Sequence, residues 1–141
     1  MTIAPQTIAQ VMALTPLLTS LAELDLRVRC GLPKSALRSG VEQAGRTTEE
    51  RRSLLFEIIP EATFKRRQDR LKPDESAKAE RLARIFATAA YVWDSDDDAR
   101  EFLHTPHPRL DGETPLRISM SELGARRVEQ LLWELFYGLP T

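Results

Sequence analysis

The chain has 141 residues, 42% hydrophobic and 29% charged, with a net charge of −1. That size and composition suit one domain with a real core, alone or with an extended arm, and exclude wholesale disorder. The near-neutral total hides an uneven spread: residues 34–72 hold ten Lys or Arg against six Asp or Glu, and residues 73–125 hold six against eleven. A basic block beside an acidic one suits a chain that meets an anionic partner on one side only, with nucleic acid a candidate. Cys30 is the one cysteine, so no disulfide forms within these residues. A reducing compartment is the simple reading, and Cys30 itself reads as a small buried apolar residue rather than a catalytic thiol. The apolar N-terminus lacks a basic leader and is interrupted by Gln6, Gln10, Pro16, Glu23 and Asp25. It therefore reads as neither signal peptide nor membrane span, and the expected location is the cytoplasm.

Taken in order, the apolar spacing is helical throughout. Ile8, Val11, Met12 and Leu14 predict a short helix over residues 7–14. Thr15 and Pro16 predict a restart, with Thr as N-cap and Pro at the first helical position, followed by Leu17, Leu18, Leu21, Leu24 and Val28. Gly31-Leu32-Pro33 stops that helix, and residues 35–44 form another that ends at Gly45. Thr47 or Thr48, followed by Glu49 and Glu50, opens the next, because early acids favour the positive end of the helix dipole. Ile58-Ile59-Pro60 breaks it, and a short helix begins at Ala62 or Thr63. The longest helix runs from Asp74 with Leu82, Ile85, Phe86, Ala89 and Trp93 on one face. Residues 94–105 give a short capped helix, and residues 106–118 a Pro/Gly loop. The last helix spans residues 121–137, with Val128, Leu131, Leu132, Leu135 and Phe136 as its stripe and Gly138 as its cap. No strand alternation appears, so the expected fold class is all-α.

Two surfaces stand out chemically. Residues 47–70 have helix–turn–helix proportions, in which the second helix enters the DNA major groove while the first braces it. Thr63, Lys65, Arg66 and Arg70 are then candidates for base edges or phosphates. The competing reading is a solvated basic helix packed through Phe64. Near the C-terminus Trp133 and Tyr137 lie one turn apart, with Arg126 and Arg127 one or two turns earlier. Aromatics and arginine on one flank suit a protein interface, or else a wide core face.

Other patterns fail their tests. Asp94, Asp96 and Asp98 imitate a calcium loop, but Ala99 stands where glycine is needed and Thr105 where glutamate is. His104 and His107 lack further ligands at zinc spacing. No phosphate loop, nucleophile elbow or Cys–His pairing is present, so the expectation is a non-enzyme without metal or cofactor.

Five stretches in order resemble the Xre-type antitoxins of RES–Xre toxin–antitoxin pairs, the family with the MbcA/ParS-type C-terminal domain. They are GLPKSAL at 31–37, IPEATFKRR at 59–67, LKPDESAKAERLARI at 71–85, TPHPRLDGETPL at 105–116 and GARRVEQLLWELFYG at 124–138. The resemblance implies a helix–turn–helix N-terminal part, residues 1–72 with its helical arm, and a helical toxin-binding domain over residues 73–141. It implies an antitoxin that blocks the active site of a RES-domain toxin, an enzyme that consumes NAD or transfers ADP-ribose from it. Homodimerisation and repression of the shared operon by binding its operator DNA are implied too. Carried over by position, Thr63, Lys65, Arg66 and Arg67 fall on the recognition helix, while Tyr137, Gly138 and Thr141 fall where the family meets its toxin. Arg126 and Arg127 join the toxin-facing set from charge and position, and Trp133 from its flank. Glu57 departs from the glycine common before the recognition helix, and the run of aspartates at 94–98 is heavier than the family pattern. A competing reading is a stand-alone helix–turn–helix regulator whose C-terminal half only dimerises.

Overall fold

The computed structural model describes residues 2–138. Nine α-helices run through these residues: α1 (Pro5–Val11), α2 (Leu21–Cys30), α3 (Lys34–Ala44), α4 (Thr48–Ile58), α5 (Glu61–Arg66), α6 (Pro73–Trp93), α7 (Asp96–Leu103), α8 (Pro115–Ile118) and α9 (Glu122–Phe136). A 3-10 turn at Pro108–Leu110 and an isolated bridge between Pro33 and Arg70 complete the regular structure. The fold is all-α, as the periodicity requires.

Helix α6 organises the rest. Its buried residues include Ala79, Ala83, Ala87 and Ala89 beside Leu82, Ile85 and Phe86, so several faces are covered at once. Small side chains let neighbouring axes approach, and α1, α2, α3, α4, α7 and α9 all pack on it. One core therefore runs without interruption from Ile8 on α1 to Leu132 on α9.

The helix starts are set by short polar side chains. Ser20, Thr47, Ser95, Thr114 and Ser121 each accept a hydrogen bond from the backbone N–H three residues on. Each such cap contributes about 1 kcal/mol. Several expectations are corrected by these ends. Helix α2 starts at Leu21 with Ser20 as its cap, not at Pro16, because Glu23 reaches back to the Thr19 N–H at 2.9 Å and fixes the first turn there. Leu18 and Leu24 are buried, but Leu17 and Leu21 are exposed. Cys30 is exposed rather than buried, since α2 rests on α6 through Leu24 and Val28 and turns its last residue outward. The stretch expected as loop over residues 106–118 contains the 3-10 turn and α8, both opened by prolines.

The N-terminus of α3 is seated on the chain between α5 and α6. Leu71 N–H donates to the Leu32 carbonyl at 2.8 Å, and Lys34 N–H to the Asp69 carbonyl at 2.9 Å. Leu32 N–H donates to the Ser76 hydroxyl at 2.8 Å. Gly31 permits this approach: its φ is +98°, and a Cβ there would lie 2.6 Å from the Leu71 carbonyl oxygen.

A charged cluster fixes the α3–α4 turn to α7. Arg46 bonds Glu50 at 2.8 Å and Glu101 at 3.0 Å, Arg100 donates to the Gln43 carbonyl at 2.6 Å, and His104 Nε2–H to the Ala44 carbonyl at 2.9 Å. The hydrogen bond from Arg46 holds the Glu50 carboxyl at about 2, below its ordinary 4.5. A carboxylate depressed in the folded state stabilises above its unfolded value, and that contribution fades as pH falls through the folded one. Glu50→Gln should therefore lower the melting temperature at pH 7 by roughly 3 °C, for a partly screened cluster of about 1 kcal/mol. Thermal melts of both proteins should converge as pH approaches 2; a constant difference across pH would show that the charge is not the cause.

Candidate functional site

The basic surface is built on α4 and α5. Ile58 and Ile59 are buried at the turn, and Phe64 is 2% exposed, so α5 is anchored by one aromatic side chain. Phe64 meets Phe56 edge-on at 6.4 Å between ring centres. Lys34 and Arg38 from α3 sit over the Phe64 ring at 4.3 and 4.9 Å, and Arg52 sits over Phe56 at 5.1 Å. Cations from α3 and α4 thus gather around the two rings that seat α5.

The five residues singled out by sequence divide into two groups. Lys65 and Arg66 are exposed, and Thr63 is half-buried with its hydroxyl accepting from Arg66 at 3.3 Å. Lys65 also pairs with Glu61 at 3.1 Å on the surface. Arg67 turns inward and holds Glu75 through two hydrogen bonds of 2.9 and 2.8 Å. Arg67 thereby pulls the Glu75 carboxyl below the usual range, while Glu75 accepts the Lys72 N–H at 2.9 Å and closes the first turn of α6. Arg70 donates to the Gly31 carbonyl at 2.8 Å. Arg67 and Arg70 therefore position α5 and its connection, and Thr63, Lys65 and Arg66 form its presented edge. Arg38 and Arg52, which sequence reading missed, are exposed beside that edge. Glu57, the carboxylate before the turn, forms an ion pair with Arg117 at 3.2 Å, which offsets its charge.

The second surface lies at the end of α9. Trp133 is 9% exposed and packs against Tyr91 of α6 and Phe136, both at 5.7 Å between ring centres. Tyr91, Phe136 and Tyr137 are exposed, the last two 5.2 Å apart, so three aromatic rings reach the surface over a buried indole. Of the residues expected here, Trp133 supports the patch from below and Tyr137 lies on it. Gly138 follows directly with φ +68°, and Thr141 lies outside the described residues. Arg126 is exposed on α9. Arg127 bonds the Asp111 carboxylate at 3.2 Å and the Arg109 carbonyl at 3.3 Å, fastening α9 to the 3-10 turn. Tyr91 and Phe136 were not on the expected list.

Between the two surfaces, α6 and α9 are joined through arginines. Arg84 lies among Glu80, Glu122 and Glu129 at 3.6, 3.1 and 3.5 Å, and Arg81 bonds Glu122 at 3.1 Å and the Met120 carbonyl at 2.9 Å. Burial pushes the Glu80 and Glu129 carboxyls upward, against the pull of Arg84. Among the described residues no group of His, Cys, Asp and Glu could hold a metal ion. No helix there is long and apolar enough to cross a membrane.

Fold and surfaces together define an all-α protein with helix–turn–helix proportions towards its N-terminus and an aromatic patch on its C-terminal helices, joined by one core. Comparison with known proteins agrees. A family model for the antitoxin Xre-like helix-turn-helix domain matches residues 23–84, and one for the antitoxin Xre/MbcA/ParS C-terminal toxin-binding domain matches residues 88–138. A Pseudomonas putida protein named Antitoxin Xre is 32% identical over 126 residues, which cover 87% of this chain and 77% of that protein. The chain belongs to the Xre antitoxin family.

The two groups of basic residues should separate in stability measurements. Arg67→Ala leaves Glu75, 7% exposed, without its cation and should lower the urea midpoint clearly. Lys65→Ala and Arg66→Ala should each stay within about 0.5 kcal/mol. Urea midpoints of the three variants decide this, and equal losses would show that Arg67 is a surface residue like the others.

Proposed function

We propose that this chain neutralises a RES-domain toxin, one that degrades NAD or transfers ADP-ribose, by covering the toxin's active site with the end of α9 and the residues after it. The observation that carries the reading is the exposed patch of Tyr91, Phe136 and Tyr137, which falls inside the stretch matched as a toxin-binding domain. Large aromatic side chains bury much area at little entropic cost and dominate interface energies. Arg126, exposed on the same helix, adds a charged contact, and Thr141 belongs to the same proposed contact.

The same chain represses its own operon as a homodimer in the cytoplasm, with α4 bracing the DNA and α5 facing the major groove. Thr63, Lys65 and Arg66 make the contacts at the groove, joined by Arg38 and Arg52 at phosphates, while Arg67 and Arg70 hold the helix in place. The DNA-facing part runs to residue 72 and the toxin-facing part from 73 onward, with α6 serving as the floor for both.

Three measurements test this. The tagged chain should co-purify with the RES-domain product of its neighbouring gene, and that product's NAD turnover should reappear when the chain is removed. Phe136→Ser combined with Tyr137→Ala should weaken neutralisation at least tenfold without unfolding the protein; unchanged neutralisation would place the contact elsewhere. Lys65→Ala with Arg66→Ala should reduce operator affinity and flatten its dependence on salt by up to two charges. A chain that binds operator but no toxin would be a stand-alone regulator whose C-terminal half dimerises.

A further inference from the structure

A cleft of about 470 Å³ opens between the end of α6, α7 and the last turn of α9. Trp93, Phe102, Pro106, His107 and Leu135 line its walls, with Asp98 and Glu101 at the rim. The Trp93 and Phe102 rings lie 5.9 Å apart, and Phe102 meets His107 edge-on at 6.4 Å. Trp93 is 40% exposed, so an indole face remains in solvent beside an apolar hollow.

The chain beside the cleft is negative. Residues 94–101 carry five carboxylates and one cation, Arg100; of these Asp98 and Glu101 line the cleft, and Glu101 is paired with Arg46 at 3.0 Å. Arg100 neutralises Asp97, bonding it at 2.9 Å, and its guanidinium also donates to the Gln43 carbonyl at 2.6 Å and lies over the Phe86 ring, which leaves Asp94, Asp96 and Asp98. Asp94, Asp96 and Asp98 make no ion pair among the described residues, and all three are exposed. An apolar floor with an acidic rim repels phosphate and favours an aliphatic or aromatic side chain flanked by lysine or arginine.

We propose that this cleft is a second docking point for the toxin, receiving an apolar side chain from a basic segment of it. The inference rests on the antitoxin reading above. Every lining residue lies within the stretch matched as a toxin-binding domain. Leu135 is set about 200° around α9 from Trp133, so the cleft and the aromatic patch lie on opposite flanks of one helix end. A toxin that covers the end of α9 would reach both flanks, the patch giving one anchor and the cleft another.

The test measures association and dissociation of purified antitoxin variants on the immobilised RES-domain product of the neighbouring gene. Trp93→Ala removes the anchor and should speed dissociation at least tenfold. Asp94→Asn with Asp98→Asn keeps the local backbone and removes one charge that lines the cleft and one next to Trp93 in the chain. It should slow association about three- to tenfold at low salt and flatten the salt dependence. Should Trp93→Ala fail to fold, the asparagine pair alone decides, since both its positions are exposed. Wild-type rates in these variants, with binding still lost in the Phe136/Tyr137 variant, would overturn the cleft and leave the antitoxin reading intact. Unchanged toxin rates with altered self-association in sedimentation would assign the cleft to a second copy and also overturn the proposal. A wild-type chain that does not bind the toxin at all would remove both.

Discussion

The structure depends on the crowding of α6. A helix that must accept six others cannot carry large side chains all round, and alanine at four of its buried positions keeps the neighbouring axes close. The larger residues, Leu82, Ile85 and Phe86, are buried among those partners. Polar bonds then fix its start and its flank. Glu75 and Ser76 tie the start to the segments around Arg67 and Leu32, while Arg81 and Arg84 bind the N-terminal half of α9 along its side. Burial of the glutamates around Arg84 is costly, and the arginine is what makes their charge tolerable there.

Most helix boundaries were legible because they rest on local chemistry. Thr47, Ser121 and the glycine stop at Gly45 act within one turn of themselves, and the structure places those ends within a residue or two of expectation. The start of α2 was misplaced because two competing local signals lie five residues apart, and the better one needs the side chain of Glu23 to reach back. The exposure of Cys30 depends on how α2 leans against α6, which no local pattern encodes. The five quoted stretches, by contrast, did identify the family, because a family is recognised by order and spacing across the whole chain.

The candidate surfaces were legible only as neighbourhoods. Counting charges between residues 65 and 72 finds a basic cluster but cannot tell a presented arginine from one committed to a partner. Arg67 looks like its neighbour Arg66 in sequence, yet its guanidinium is spent on a carboxylate eight residues away. The converse failure concerns Arg38 and Tyr91, ordinary positions on α3 and α6 that become surface neighbours of α5 and α9 only after folding. Pairwise contacts between distant segments set the roles of these side chains, and one sequence carries no record of those pairs.

The length of α6 has a mechanical corollary. At 21 residues and 1.5 Å per residue it spans about 30 Å, with the α5 connection fastened at its first turn and the aromatic rings gathered at its last. It therefore acts as a strut of fixed length rather than a hinge. Ligands engaged at opposite ends of such a strut would be held about 30 Å apart, and any influence between them would travel along the helix.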